Sequence, residues 1–540
     1  MKKALVMLGG KYHPFESCGK ILEEFLKRRG MCEPTLTTDR EAFRHLDGYD
    51  LVIGYTQGGE LTPEQEKGLC GFVENGGGFV GIHCASDSWV KNEAYMEMVG
   101  SHFAGHGPVT EFAVTISEPD HEVTRRVQDF RITDEFYILE KKTETFDVLA
   151  TGTWHFETHP MAYVHTYGEG RVFYTALGHD ERAFTNPSFQ KLMYRAVRWV
   201  TKETERKAVR CGIVGYGGAF NMGKHHADTI RRIPGLEVTA VCDINPKRLE
   251  LAREEQPGVE TFDHVQKMIE ADAIDLGVVV TPHNTHAELA IALAEGGKHV
   301  VCEKPFSITI EEATAMIEAA RKKGVMLSTF HNRRWDGDFM TIRTIIQDGL
   351  IGEVFHIEAC GAGYSPPRYW WRSHKPISGG AIYDWGAHFV DWILNLMPGK
   401  MESVYGFFHK RVWFDVTNED QCHAIIRFEG GKYAEFQHSS IAAVGKPKWR
   451  ILGTKGGILM ETGDAIKVVT YTRGVREELS VPVMEGQWDA YYYNIADHLL
   501  AGEPLAVTPE SARRVIAVLS LAERASETGQ PQPVPYEDEV

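Results

Sequence analysis

A chain of 540 residues is too long for one hydrophobic core and calls for three or four domains at about 150 residues each. Apolar residues make up 43% and charged residues 25%, the balance of a soluble globular protein. The net charge of −17 is spread without a basic cluster, which argues against nucleic acid and anionic membrane as partners, and nine cysteines without paired metal-type spacing fit reduced thiols in a cytoplasm.

The start, Met1-Lys2-Lys3-Ala4-Leu5-Val6-Met7-Leu8, is basic and then apolar, but Gly9-Gly10-Lys11 ends the run too early for a signal-peptide core. It reads as a first strand, and no apolar run approaches the roughly 20 residues of a membrane span. Through residue 205, strand-like runs at 5–8, 51–55 and 78–82 alternate with helical spacing at 18–29 and 63–75, and a strand at 171–176 and a helix at 190–200 close an α/β sandwich. The polar stretch 201–207 is the linker candidate. Residues 208–330 repeat strand and helix in the doubly wound manner, with strands at 236–242, 275–280 and 298–302. From 331 to 540 the pattern changes to an α+β domain: runs at 354–358, 403–408, 422–428, 433–437, 449–452 and 465–471 predict a large, mostly antiparallel open sheet with helices before and after. The tail from 529 is Pro-rich and acidic, a surface segment.

The run Cys211-Gly212-Ile213-Val214 leads into Gly215-Tyr216-Gly217-Gly218-Ala219. Backbone approaches a pyrophosphate closely only where side chains are absent, and the next helix offers free N–H groups and a partial positive charge. Phe220 stands where a third glycine or alanine is expected and Gly223 comes three residues later, so 220–222 reads as an insertion. The strand over 236–242 ends in Asp243, placed to hold a ribose 2′-hydroxyl and to repel a 2′-phosphate. This favours NAD over NADP; Lys247 and Arg248 nearby weaken the preference.

The strand at 298–302 runs into Glu303-Lys304-Pro305-Phe306, and its carboxyl end would aim Lys304 at the nicotinamide end of a cofactor; a surface lysine at a strand end is the plainer alternative. Further on, Gly379-Gly380-Ala381-Ile382-Tyr383-Asp384-Trp385-Gly386-Ala387-His388-Phe389-Val390-Asp391 opens a helix. Asp384 and His388 share one face, with Asp391 a turn beyond. A histidine titrating near neutrality suits proton removal from an alcohol, and a carboxylate orients it or holds a substrate hydroxyl. A helix cap and a satisfied core histidine are the alternatives.

These motifs, with Thr281-Pro282-His283-Asn284-Thr285-His286 and His331-Asn332-Arg333-Arg334, resemble the Gfo/Idh/MocA oxidoreductases over about residues 208–530. The resemblance implies an NAD(P)-binding Rossmann domain, then an α/β domain whose open sheet often forms an oligomer interface, and oxidation or reduction of a sugar, cyclitol or glycoside at a secondary hydroxyl. It implies proton transfer and substrate binding by Lys304 and His388, with Asp384 binding and orienting. The cofactor would touch Gly215, Gly217, Gly218, Ala219, Phe220, Asp243, Thr281, Pro282, His286, Glu303, Lys304 and Asn332. A cis bond before Pro305 would aim Lys304. The loop insertion, and His331 where glutamine is common, depart from the pattern. The stretch Tyr364-Ser365-Pro366-Pro367-Arg368-Tyr369-Trp370-Trp371-Arg372 could stack on sugar C–H faces through Trp371 and Arg372, or meet a partner chain; Tyr491-Tyr492-Tyr493 reads as core packing.

In the first 203 residues, Gly76-Gly77-Gly78-Phe79-Val80-Gly81-Ile82-His83-Cys84-Ala85, Gly100-Ser101-His102-Phe103-Ala104-Gly105-His106, Asp134-Glu135-Phe136-Tyr137 and Gly178-His179-Asp180 resemble the ThuA-like family. That resemblance implies a flavodoxin/amidotransferase-like α/β sandwich linked to sugar utilisation. An amidotransferase needs cysteine at the strand-to-helix elbow; His83 stands there with Cys84 beside it, so glutaminase activity is not expected. His83, His102, His106, Glu135, His179 and Asp180 form a candidate acid/base or metal site without the close spacing of a zinc motif, or they are scattered loop histidines. The joined domains suggest an NAD-dependent dehydrogenase acting on a glycoside hydroxyl such as C3, working as a homo-oligomer (dimer or tetramer). The alternatives are a glycosidase using transient NAD-mediated oxidation and elimination, and a non-catalytic NAD-sensing or sugar-binding scaffold.

Overall fold

The computed structural model describes residues 2–28, 32–143, 145–203, 208–218, 220–461 and 463–537. Ala219 and the linker positions 204–207 lie outside the described residues, as does the end of the tail. The chain divides into two units, Met1–Arg206 with Gly502–Pro504, and Lys207–Ala501 with Leu505–Val540.

In the first unit the apolar runs become central parallel strands. Leu51–Thr56 and Gly78–Ile82 are buried at every position, which is why they read as unbroken apolar runs rather than alternating ones. One nine-stranded sheet runs Cys32–Thr37, Lys2–Gly9, Leu51–Thr56, Gly78–Ile82, Gly170–Thr175, Glu157–Tyr167, Asp147–Trp154, Ser101–Ile116, Phe130–Lys141. The first five pair in parallel and the last four antiparallel. The helix Pro63–Glu74 begins with a capping box between Thr62 and Gln65, and Pro187–Val200 begins under the Asn186 side chain. The carboxyl ends of the parallel strands, with the Phe130–Lys141 strand, carry the histidines and carboxylates discussed below.

The second unit holds two sheets. The first is wholly parallel, in the order Glu260–Phe262, Leu236–Cys242, Val209–Val214, Leu276–Val279, His299–Cys302, Leu327–Thr329. The connection reverses direction between Val209–Val214 and Leu276–Val279, and the crevice at that switch point is where doubly wound sheets bind ligands. The second sheet has nine strands and one parallel pair, Val354–Ala362 with Tyr433–Ser439. The helix Ile382–Leu396 packs on it through Phe389 against Phe436 (ring centroids 4.8 Å) and Trp392 against Trp449 (5.6 Å). Phe355, Tyr405, Phe407 and Tyr433 on its strands are exposed. All nine cysteines are free and buried. Among the described residues no helix is long and apolar enough to cross a membrane.

Candidate functional site

Gly215, at the end of Val209–Val214, has φ +101°, and a Cβ there would stand 2.6 Å from the Val280 carbonyl oxygen. Gly217 faces open space, as a backbone awaiting a phosphate must. Gly223, in the first turn of the helix Met222–Arg232, lies so close to the turn that a Cβ would come within 2.6 Å of the Gly215 carbonyl oxygen. This is the close helix-to-turn packing a third glycine provides, so the insertion leaves the fingerprint intact. Phe220 and Met222, inside the insertion, line the neighbouring cavity. The Asp243 carboxylate accepts hydrogen bonds from the Tyr216 N–H (2.7 Å) and the Asn245 N–H (2.8 Å), bracing the turn from the next strand end. The Arg248 guanidinium lies against Gly218. Open backbone, a helix N-terminus and a strand-end carboxylate together fit a dinucleotide.

A cavity of about 470 Å³ adjoins this turn, and Lys304, Asp384, His388, Arg372 and Asn332 all face it. Lys304 leaves the strand His299–Cys302, and its bond to Pro305 is cis. Its Nζ donates to Asp384 Oδ1 at 2.8 Å and to the Asp384 carbonyl oxygen at 3.2 Å, while Arg372 NH1 donates to the same Oδ1 at 2.7 Å. Burial pushes the Asp384 carboxyl up, but the two cations outweigh it and hold the group well below the usual carboxylate range. His388 is buried, and burial first, then the Lys304 charge, pushes its pKa well below 6.5. It is a neutral imidazole at pH 7.

Behind Lys304 stands a buried chain of polar groups. Tyr492 OH lies 2.6 Å from His226 Nδ1, His226 Nε2 lies 3.1 Å from Glu303 Oε1, and Glu303 Oε2 accepts from the Lys304 N–H at 2.8 Å. Burial raises Glu303, but the His226 bond wins and brings it down to about 2. His286 lies between the carbonyl oxygens of Pro305 (2.8 Å) and Thr281 (2.9 Å), tying the Lys304 corner to the Thr281-Pro282 strand end; it is fully buried. Trp371 is set edge-on to His283 (4.9 Å), and the Arg372 guanidinium lies over it at 5.0 Å, so it supports Arg372. Asp391 is taken by Arg334 in a two-pronged pair at 2.8 and 2.6 Å.

In the first unit, Glu135 collects three histidines. Its Oε1 is 2.9 Å from His106 Nδ1, and its Oε2 is 3.1 Å from His179 Nδ1 and 3.6 Å from His83 Nε2. Two of the six residues singled out from sequence are not in this group. His102 faces Glu140 at 3.7 Å, farther along the strand from Glu135, and Asp180 caps the helix Glu181–Phe184 and pairs with Arg182. His13, from the loop after the first strand, joins instead, with ring centroids 4.9 Å from His179 and 5.1 Å from His83.

Comparison with known proteins agrees with this fold. The ThuA model, described as trehalose utilisation, matches residues 3–200; the oxidoreductase-family model with an NAD-binding Rossmann fold matches 209–331; and the GFO/IDH/MocA C-terminal domain matches 339–459. The scyllo-inositol 2-dehydrogenase (NADP(+)) IolW of Bacillus subtilis is 27% identical over 344 residues, 59% of this chain and 94% of the relative. The uncharacterized oxidoreductase YrbE of the same organism is 30% identical over 255 residues, 46% of this chain and 73% of the relative. Among solved structures, an NAD-binding protein from Listeria innocua superposes with TM-score 0.55 at 29% identity, covering 61% of this chain and 97% of that one.

The chain belongs to the Gfo/Idh/MocA oxidoreductases, with a ThuA domain ahead.

This Gfo/Idh/MocA oxidoreductase completes its cavity with residues to which the sequence motifs assign no role. Trp385 and Trp488 line it, with the Arg333 guanidinium 4.8 Å and 5.4 Å from their rings. Asp336 fixes both Arg333 (2.9 Å) and the Trp488 indole N–H (2.6 Å). Trp488 lies 152 residues along the chain from Asp336, so only the fold brings it in. Phe220 was legible only as a departure from the glycine pattern, and that departure was the signal.

Proposed function

We propose that the protein oxidises a secondary hydroxyl of a sugar or glycoside, at C3, with NAD as hydride acceptor, and that the ThuA domain binds or further transforms the keto-sugar. The observation that carries this reading is Lys304, Asp384 and a neutral His388 in one cavity beside the glycine turn. A bound nicotinamide supplies the redox chemistry by accepting a hydride. His388 takes the hydroxyl proton, and the Lys304 ammonium stands against the oxygen as negative charge develops. Asp384 holds Lys304 and Arg372 in place. Trp385 and Trp488 offer faces for sugar C–H groups. The Asp243 carboxylate at the strand end supports NAD, and the Arg248 guanidinium at Gly218 keeps NADP within reach. IolW, named for an inositol and for NADP(+), is consistent with a polyhydroxylated substrate. The exposed aromatic face of the large sheet supports a dimer or tetramer, which light scattering of the purified chain checks.

A second reading, transient oxidation that drives glycosidic bond elimination, draws on the Glu135 and histidine cluster. Incubating the full chain with glycosides, cyclitols and free sugars plus NAD separates the readings. Net NADH supports the dehydrogenase, bond cleavage without it supports elimination, and binding with neither supports a non-catalytic scaffold.

A further inference from the structure

His13 and His179 arrive from loops and His83 from the 3-10 turn His83–Asp87, beyond the carboxyl ends of three parallel strands. Their rings stand nearly perpendicular in pairs (80°, 88° and 77°) with centroids 4.9, 5.1 and 5.6 Å apart. One nitrogen from each lies within 4.8 Å of the other two. Three nitrogens of this cluster, His13 Nδ1, His83 Nε2 and His179 Nδ1, are buried without an aligned hydrogen bond. Unmet buried polar atoms are costly, and three at one point call for a common partner.

The surroundings of His83 prepare its Nε2 as a lone-pair donor. His83 Nδ1 sits 2.6 Å from the Ala176 carbonyl oxygen and donates to it, which in the neutral ring places the lone pair on Nε2. Tyr137 stacks on the same ring at 3.6 Å and fixes its plane. His83 also holds φ +46°, a left-handed conformation that costs free energy for a residue with a Cβ and that clusters at functional sites. Glu135 adds a carboxylate oxygen at 3.1 Å from His179 Nδ1 and 3.6 Å from His83 Nε2. Four donors bound at 2.0–2.1 Å in a tetrahedron lie about 3.3 Å apart, which these two spacings bracket; Glu135 stands outside the three-histidine group whose donor atoms all lie within 4.8 Å of one another, so its carboxylate must move toward His13 to complete the set. His106, on the other Glu135 oxygen at 2.9 Å, is half exposed and orients the carboxylate from outside.

We propose that His13, His83, His179 and Glu135 bind a divalent zinc-class cation in the ThuA domain. Three imidazoles and one carboxylate are the donor set that first-row divalent ions of intermediate softness prefer. The inference rests on the first unit alone and stands whether or not the second unit proves to be a dehydrogenase.

The test uses the full chain, stripped with a chelator and dialysed, titrated with Zn²⁺ by calorimetry and with Co²⁺ by visible absorption. A single tight equivalent and the intense absorption of four-coordinate Co²⁺ are expected. His13→Gln and His83→Gln are expected to weaken it at least about 100-fold. His102→Ala, and His356→Ala in the other cluster able to hold a metal (His356, Glu358, Glu435), are expected to leave it intact. Melting temperatures in chelator report whether each variant folds; for one that does not, Glu135→Gln replaces it with the same expected loss. No tight equivalent, or one that survives His13→Gln and disappears in His356→Ala, overturns the proposal. So does a His179 imidazolium paired with Glu135 in the stripped chain that persists unchanged, by NMR, when Zn²⁺ is added.

Discussion

Asp384 takes two cations on one carboxylate oxygen, and this arrangement decides what Lys304 can do. The ammonium is held at the cavity instead of swinging into solvent, and its charge helps keep His388 unprotonated. Lys304→Ala is expected to lower kcat by about 10²–10⁴ with little change in melting temperature, read from reduced-nicotinamide formation. Asp384→Asn keeps the shape but frees both cations, and kcat is expected to fall by roughly 10–100-fold, less than for Lys304→Ala because the carboxylate is 39% exposed and water screens part of the loss. As the proposed base His388 works deprotonated, and burial lowers its pKa. The acid limb of the kcat/KM profile for oxidation is therefore expected below pH 6.5; a limb above that value means another group is the base.

At the scale of elements, the glycine turn separates packing from binding. Gly223→Ala drives a Cβ into backbone, the Gly215 carbonyl oxygen, and is expected to lower both melting temperature and dinucleotide affinity. Gly217→Ala meets nothing within 4 Å, so stability is expected to change by less than about 0.5 kcal/mol while dinucleotide affinity falls at least tenfold, measured by fluorescence titration. The contrast fails if both variants bind NAD like the parent. The parallel strands were legible because burial on both faces makes them continuous apolar runs, as in Leu51–Thr56. The four antiparallel strands between Ser101 and Tyr167 were not, because long twisted ribbons such as Ser101–Ile116 mix exposed and half-buried positions and break period two at bulges. His102 lies outside the Glu135 group because it pairs with Glu140, farther along the same strand. His13 lay in a loop with no spacing to read, and only the sheet order carries it to His83 and His179.

For the whole molecule, buried histidines set the acid limit. His331 and His283 are buried, and burial brings them to about 4 and about 3 against 6.5 for a free side chain. The unfolded chain thus binds more protons, so their contribution is complete above pH 6.5 and shrinks as pH falls from there toward 4 and 3. Glu303, at about 2 against 4.5, adds a second loss between pH 4.5 and 2. Melting temperature is expected to be flat between about pH 6.5 and 8 and to fall in two stages below that range; a fall that begins only below pH 4 contradicts the neutral, buried state of the histidines. At this scale the two units carry separate chemistry, an oxidoreductase cavity in one and a histidine and carboxylate cluster in the other. The full chain and its Lys304→Ala variant, each mixed with NAD and the best glycoside from the panel, test the central claim in one reading of NADH absorbance. The account expects turnover in the parent and at least about a 100-fold loss in the variant. Equal turnover in both would contradict it.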